Sequence, residues 1–386
     1  MTVNQSSMTQ VNPQTFALPA WRVFLRDHWL HLVVFAFLMV FPHLIGWVSG
    51  DSPFGMARGA RRIMTGESTY WQAVFIQIFA MSILVMSYNL MFGFTGVTSF
   101  GHALFFGLGG YTVGILLQKF NLDPWLGFIL GVILVIILTT LIGLVIGLVS
   151  LRLKGVYFAI FTLALGEMAW IFVRSWPYTR GEDGLTISNL PELLDPERNR
   201  LVVYYIGLVL FAVTFLVIRR LVRSPAGTVF QAIRENEERA QAIGYDTLRY
   251  KLLSIVIASV FAGLAGILMG VLNKSARPEL MGVGYTVDAL LTTIIGGVGT
   301  LTGPVIGATG LHLLELWVRE SNTVFSLNLG LFTLTINFAQ DWALILGAVF
   351  VLTVLVFPYG VVGTWYNIRN RITKWLDDRK TSGQSA

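Results

Sequence analysis

The chain has 386 residues, of which 55% are apolar, 12% are charged and none is cysteine. An ordinary soluble domain carries roughly a quarter charged residues, so this composition excludes a soluble globular protein, and the missing cysteines exclude disulfides, thiolate metal sites and cysteine nucleophiles. The formal net charge of +6 could serve nucleic-acid binding, but excess Lys and Arg in a membrane chain usually collects in cytoplasmic loops, so we expect no nucleic-acid partner.

The first part of the chain, residues 1–26, is polar and lacks the basic region and cleavage pattern of a signal peptide, so we expect a retained cytoplasmic segment. Apolar runs then recur without a polar interval long enough for a soluble domain. A bilayer core of ~30 Å needs about 20 helical residues, and most of the runs approach that length. The ten runs are Leu30–Val48, Tyr70–Phe92, Val97–Leu117, Trp125–Ser150, Val156–Val173, Val202–Ile218, Leu252–Leu272, Thr286–Ile295, Leu301–Val318 and Trp342–Phe357.

These runs predict one all-α transmembrane domain, residues 27–365, a polytopic integral membrane helical bundle of about ten segments. Backbone groups in lipid must be hydrogen-bonded internally, and no run shows the alternating pattern of a membrane β-barrel. The eighth run, Thr286–Ile295, is too short to cross alone and precedes the glycine-rich stretch Gly296–Gly303. Because glycine interrupts helices, we predict one short broken or re-entrant element here, with a plain interhelical loop as the alternative.

Basic residues predict the orientation of the bundle. Seven lie in Arg219–Lys251 and five in the basic tail 366–386, so both segments and both chain ends should be cytoplasmic. The segment Ser175–Leu201 has more acidic than basic residues and should lie outside. Three arginines disagree with this orientation, because it would place them outside. We expect their segment, Ser52–Thr69, to follow the membrane surface as an amphipathic piece. They are Arg58, Arg61 and Arg62.

A long polar loop, residues 223–247, separates two of the apolar runs. Within it, Thr228–Ile243 is predicted to form a short amphipathic helix that Gly244 ends. Its apolar stripe consists of Phe230, Ile233 and Ala240. A simple connection would need fewer residues, so the loop is expected to have a task of its own.

The segment Phe230–Gly244, with the sequence FQAIRENEERAQAIG, resembles the cytoplasmic coupling loop of permeases in the branched-chain amino acid ABC transporter family. In that family the loop docks on the ATPase subunit. The resemblance covers most of the chain, through further segments in the expected order. They are Tyr88–Gly96, Ser99–Tyr111, Leu151–Ile160, Thr162–Glu167, Gly296–Pro304 and Phe357–Gly363. Residues 1–26 and 50–69 match nothing in the family core.

The resemblance implies a permease subunit of an importer in a prokaryotic plasma membrane, the inner membrane in a Gram-negative cell. Its solute would be a branched-chain or other amino acid, urea or a short amide. The implied partners are a second homologous permease, two cytoplasmic ATPase subunits and an external solute-binding protein. The chain should not be an enzyme, because Gly296–Gly303 lacks the Lys-Ser/Thr ending of a phosphate loop. The implied ATPase-coupling residues are Phe230, Ile233, Arg234, Glu237, Arg239, Ala240 and Gly244.

Five polar residues in apolar runs are candidates for the solute pathway or its gate: Asn89, His102, Glu167, Arg174 and Asp288. Glu167 lies in the middle of its run, where a carboxylate is costly, and Arg174 should share its helix face. Each has a structural alternative, such as an interhelical hydrogen bond or, for Asp288, a helix N-cap. The rival function is a self-contained secondary transporter or channel that uses the charged candidates. No motif for a metal or cofactor occurs in the sequence.

Overall fold

The computed structural model of the protein describes residues 20–58, 63–120, 122–153, 155–321, 324–328, 333–366 and 368–369. The expectations for the polar segment 1–26 and the basic tail 366–386 therefore fall mostly outside the described residues, as do those for Arg61 and Arg62. Within the described ranges the chain is mainly helical.

Twelve α-helices make up most of the described chain. They are α1 Ala20–Ser49, α2 Glu67–Asn89, α3 Ala103–Lys119, α4 Pro124–Ser150, α5 Val156–Ser175, α6 Arg200–Val222, α7 Pro225–Glu235, α8 Glu237–Ala242, α9 Thr247–Asn273, α10 Val283–Gly296, α11 Gly303–Glu320 and α12 Trp342–Val356. Helix α2 continues as a π-helical turn, Leu90–Phe94. Each predicted apolar run coincides wholly or mostly with one helix, whereas α7 and α8 come from the polar loop.

Six helices in the described part of the chain are long and apolar enough to cross a bilayer. They are α2 with its π-helical turn, α4, α5, α6, α9 and the helix that begins with α12. The membrane-helical class is thereby confirmed, whereas the count of about ten segments stays a prediction. Helix α10 is apolar but short, and it ends at Gly296, where the glycine-rich stretch predicted a break.

Helices α2, α3 and α9 form the centre of the bundle, and α4 and α6 pack around them. Small residues allow α3 and α9 to touch through their backbones. A Cβ atom on Gly266 would overlap the carbonyl oxygen of Phe106, and one on Gly109 would overlap that of Gly263. Close backbone approach through small residues is the usual way in which membrane helices pack. The three helices therefore form a dense core on which the other elements are placed.

Helix α3 begins later than the predicted run Val97–Leu117, at Ala103. Two backbone amides in this stretch are bonded to side chains of other helices. The Phe100 N–H donates to Thr162 Oγ1 at 3.1 Å, and the Ala103 N–H donates to Thr286 Oγ1 at 2.9 Å. Because these donors are satisfied by α5 and α10, the segment before α3 does not need helical hydrogen bonds.

Within the described residues, three antiparallel strand pairs add to the helices, and the all-α prediction omitted them. They are β1 Met56–Arg58 with β2 Ile63–Thr65, β3 Leu185–Thr186 with β4 Ser275–Ala276, and β5 Val324–Asn328 with β6 Thr333–Asn337. The first pair lies in Ser52–Thr69, where we expected an amphipathic piece along the membrane surface. The strands of the first two pairs have two or three residues each, too few to show an alternating pattern.

The β3–β4 pair joins the connection between α5 and α6 to the connection between α9 and α10. It is extended by a hydrogen bond from the Ile187 N–H to the Lys274 carbonyl oxygen at 2.7 Å. The β1–β2 hairpin reaches the same region, because the Met64 N–H donates to the Glu197 carbonyl oxygen at 3.0 Å. These three connections therefore lie at one end of the bundle.

The predicted single helix Thr228–Ile243 is interrupted, and α7 and α8 meet at Asn236. This residue has an extended backbone with φ −160° and ψ 101°, and its Oδ1 accepts a hydrogen bond from the Arg239 N–H at 2.8 Å. Asn is a preferred N-cap because its side chain satisfies a free amide at a helix start. The cap at Asn236 therefore overrides the amphipathic period that predicted one helix.

Candidate functional site

The apolar stripe of the polar loop packs on the membrane domain of the protein itself. Phe230 is 0% exposed, Ile233 3% and Ala240 2%, so the pattern correctly placed all three on a buried face. The Phe230 ring makes an edge contact with Tyr250 of α9, with 6.2 Å between ring centroids. Side chains this buried offer no surface to a partner. Phe230 and Ile233, which the resemblance implied as ATPase-coupling residues, therefore attach α7 to the bundle.

Exposed apolar residues of the loop lie further along, at the turn between α8 and α9. We call them the turn patch: Ile243 is 67% exposed, Leu248 43% and Tyr245 42%. Gly244, with φ +97°, turns the chain between them. Sequence reasoning missed this patch because the single-helix prediction put Ile243 at a helix end. The sequence did contain a sign of the patch, because three large apolar residues occur close together at the end of the polar loop.

Two of the predicted coupling residues lie in α8, one on its inner side and one on its outer side. Glu237 binds the Lys251 ammonium group at 2.6 Å and accepts a hydrogen bond from Thr247 Oγ1 at 3.2 Å, which ties α8 to α9. Arg239 is exposed beside the turn patch. The loop is thus held firmly on its inner side and presents Arg239 and the turn patch outward.

Arg234, at the end of α7, reaches a junction between α2 and the turn that separates α10 from α11. Its Nη1 donates a hydrogen bond to the carbonyl oxygen of Gly93. At the same junction Asn89 Nδ2 donates to the Thr300 carbonyl oxygen at 2.9 Å, and Asn89 Oδ1 accepts from the Gly299 N–H at 3.0 Å. Asn89, predicted for the pathway, is therefore a bridge between helices. The structure brings it close to the predicted coupling residue Arg234.

His102, another pathway candidate, is 1% exposed in the core. Its Nε2 lies 2.8 Å from Ser87 Oγ of α2, and its ring contacts Tyr88 and Phe105 edge-on. These contacts fill its surroundings, so His102 braces α2 against the start of α3, as its structural alternative predicted.

A cavity of about 430 Å³ lies between α5 and the start of α10. It is lined by Glu167, Trp170, Glu279, Gly282, Val283, Gly284, Tyr285 and Asp288. Glu167 and Asp288, two of the predicted pathway residues, thus share one cavity. Glu279 was missed, because it lies in a polar connection where a carboxylate gives no sign of a role in a site. Carboxylates with aromatic rings suit an ammonium group, and the volume is that of a small-molecule site.

The two remaining expectations are corrected by the positions of Arg174 and Asp288. Arg174 is paired with Glu182, to which its Nε donates at 2.9 Å, and its guanidinium stacks 5.0 Å from the Trp170 ring. It does not line the cavity with Glu167. Asp288 is not a helix cap, because α10 begins five residues earlier and Gly282 holds the N-cap position.

A family model described as the permease component of branched-chain amino acid transport systems matches residues 71–354. The chain is also similar to the high-affinity branched-chain amino acid transport system permease protein LivM of Salmonella typhimurium, at 27% identity over 72% of this chain and 68% of the relative. For LivM of Escherichia coli the identity is 26% over 84% of this chain and 77% of the relative. For a probable branched-chain amino acid transport permease protein LivM of Methanocaldococcus jannaschii the identity is 25% over 72% of this chain and 89% of the relative.

Proposed function

Because the chain belongs to the family of permease components of branched-chain amino acid transport systems, we propose that it forms half of the membrane pore of an ABC importer for branched-chain or related amino acids. A second permease would form the other half. ATP hydrolysis would take place on two cytoplasmic ATPase subunits, and an external binding protein would deliver the solute. The relatives named above support this assignment, since their names describe permeases of branched-chain amino acid transport.

The main structural support for the proposal in this chain is the cavity that Glu167, Glu279 and Asp288 line. With the basic loop 223–247 in the cytoplasm, α9 leads outward, so Glu279 and the start of α10 lie toward the external side. An external binding protein would release its solute at this side. The ammonium group of an amino acid is complementary to Glu167, Glu279 and Asp288, whereas urea and short amides carry no charge for them to bind.

The turn patch supports a docking role for the loop. A protein interface gains most of its affinity from a few apolar side chains that become buried, surrounded by a polar rim. Ile243, Tyr245 and Leu248 are exposed apolar residues in a loop that should be cytoplasmic, and Arg239 lies beside them. The ATPase subunit would cover this patch, while Phe230 and Ile233 hold the loop in place from below.

Uptake by the complete transporter in vesicles tests the proposal. Labelled leucine should enter in an ATP-dependent way, and Glu167→Gln or Asp288→Asn should lower its uptake about tenfold or more, the scale of one lost charge-assisted hydrogen bond. Glu192→Gln is the control, because the Glu192 side chain is 87% exposed. ATP-dependent uptake of acetamide or urea but not leucine would overturn the choice of amino acids.

The rival function, a self-contained secondary transporter or channel, draws on the same carboxylates, which could bind a coupling cation. Vesicles that contain this chain alone separate the two functions. Solute uptake driven by an ion gradient, without ATPase or binding protein, would favour the rival. The ABC importer predicts no such uptake.

A further inference from the structure

We infer that Arg234 is the positioning residue through which a displacement of α7 reaches the turn between α10 and α11, and with it the cavity. The inference rests on the proposed function, because it names the route by which work done on the loop by an ATPase would reach the solute. It is carried by the contacts of Arg234 at the end of α2.

The guanidinium of Arg234, which belongs to α7, donates a hydrogen bond to a free carbonyl group in the π-helical turn at the end of α2. The last carbonyl groups of a helix lack partners within it and carry partial negative charge. Thr95 Oγ1 donates to the carbonyl oxygens of Leu90 and Met91 at 3.0 and 2.9 Å. The carbonyl of Gly93 is bonded by Arg234. A cationic donor is strong at such a carbonyl, so α7 and α2 are joined at this point.

Two glycine turns make room for this contact. A Cβ atom on Gly299, whose φ is +75°, would overlap Arg234 Nη1, and one on Gly96 would lie 3.4 Å from Arg234 Cα and Cγ. Arg234 remains exposed to solvent on one side and contacts the backbone of both glycine turns on the other, with no side chain in between. As long as Arg234 keeps its bond to the Gly93 carbonyl oxygen, a displacement at the end of α7 is passed to the backbone at Gly299, against which its Nη1 lies.

The turn that receives Arg234 is a closed unit. Thr300 Oγ1 donates to the Gly297 carbonyl oxygen at 2.8 Å and accepts from the Gly303 N–H at 3.1 Å, which links the end of α10 to the start of α11. A shift at Gly299 is therefore passed to α10, and α10 carries Tyr285 and Asp288 of the cavity. The other contacts of α7 are with α6, α8 and α9, and among the described residues none of these three helices lines the cavity.

The first experiment compares ATP hydrolysis with solute uptake in the complete transporter in vesicles. For Arg234→Ala we expect normal assembly and hydrolysis, with uptake per ATP reduced about tenfold or more. Arg234→Lys keeps the charge but loses the planar fork, so its loss should be smaller. Arg220→Ala removes an exposed arginine at the end of α6 and should keep the wild-type ratio. An unchanged ratio in Arg234→Ala would overturn the inference.

The second experiment measures the contact itself and does not depend on transport. The chain has no cysteine, so single cysteines at exposed Thr228 of α7 and Ile306 of α11 can carry spin labels without background. We expect a narrow distance distribution in the wild-type chain and a broader one in Arg234→Ala, or in Arg234→Lys if the alanine variant does not assemble. An unchanged distribution would show that Arg234 does not couple the two elements. A wild-type complex without ATP-dependent uptake would instead overturn the proposed function.

Discussion

Ser87 and His102 share a buried hydrogen bond between α2 and the start of α3, with 2.8 Å between Oγ and Nε2. Ser87→Ala removes one partner and leaves a buried ring nitrogen unsatisfied, which should lower the free energy of unfolding by about 1–3 kcal/mol. Thermal unfolding of the purified protein in detergent measures the change.

Ser82 provides the matched control on the same helix. It is 0% exposed, and its Oγ has no hydrogen-bond partner within the described residues. Ser82→Ala removes a hydroxyl without breaking a bond, so stability should stay equal or rise. Equal destabilisation by the two substitutions would contradict the role given to the Ser87–His102 bond.

Substitutions of Phe230 and Ile243 should have different effects, the first on stability and the second on association with the ATPase subunit. Phe230 is fully buried, so Phe230→Ala should leave a cavity and lower stability by about 3–5 kcal/mol. Ile243 is 67% exposed, so Ile243→Ser should leave stability within about 0.5 kcal/mol while weakening co-purification with the ATPase subunit. Loss of ATPase binding in a fully stable Phe230→Ala variant would reverse this assignment.

Gly299→Ala should impair the junction, because the added methyl group would meet Arg234 and the residue has φ +75°. Uptake per ATP should fall, and the loss in the double variant with Arg234→Ala should be smaller in free energy than the sum of the two single losses, since contacting residues give non-additive effects. Gly310→Ala in α11 is the control. Among the described residues nothing lies within 4 Å of a Cβ atom there, so it should be tolerated. Fully additive losses would argue against the contact.

Lys274 has a left-handed backbone, with φ 50°, and binds Asp195 at 3.2 Å and Glu197 at 3.4 Å. Lys274→Ala loses both ion pairs and keeps the strained backbone, whereas Lys274→Gly loses the pairs but relieves strain of about 1–2 kcal/mol. Glycine should therefore be the less destabilising replacement in a thermal unfolding comparison. The opposite order would show that the left-handed backbone at Lys274 is not strained.

The sequence predicted helices well because long apolar runs leave the backbone few alternatives in lipid. The spacing of Phe230, Ile233 and Ala240 predicted one apolar stripe, and the three side chains lie on one buried side although the helix is interrupted at Asn236. The partner that buries them could not be predicted. An amphipathic pattern shows which face is apolar, but only tertiary packing decides whether the protein or another subunit covers that face.

Contacts between distant parts of the chain set the other limit. Glu167 and Asp288 were each predicted for the pathway, but only the packing of α5 on α10 places them in one cavity with Glu279. Arg174 was expected on the face of Glu167 by helical period. It turns instead to Glu182 in the following connection, a contact that the helical period of α5 cannot show.

The backbone contact between α3 and α9 limits how the bundle can move. Gly266 touches Phe106, and Gly109 touches Gly263, without side chains in between. Side chains can change rotamer and let helices slide, whereas two backbones in contact have no such adjustment. Helices α3 and α9 should therefore move as one rigid body, and α7 and α10 should tilt relative to it. Opening and closing of the cavity would then change the outer layer of the bundle while its centre stays still.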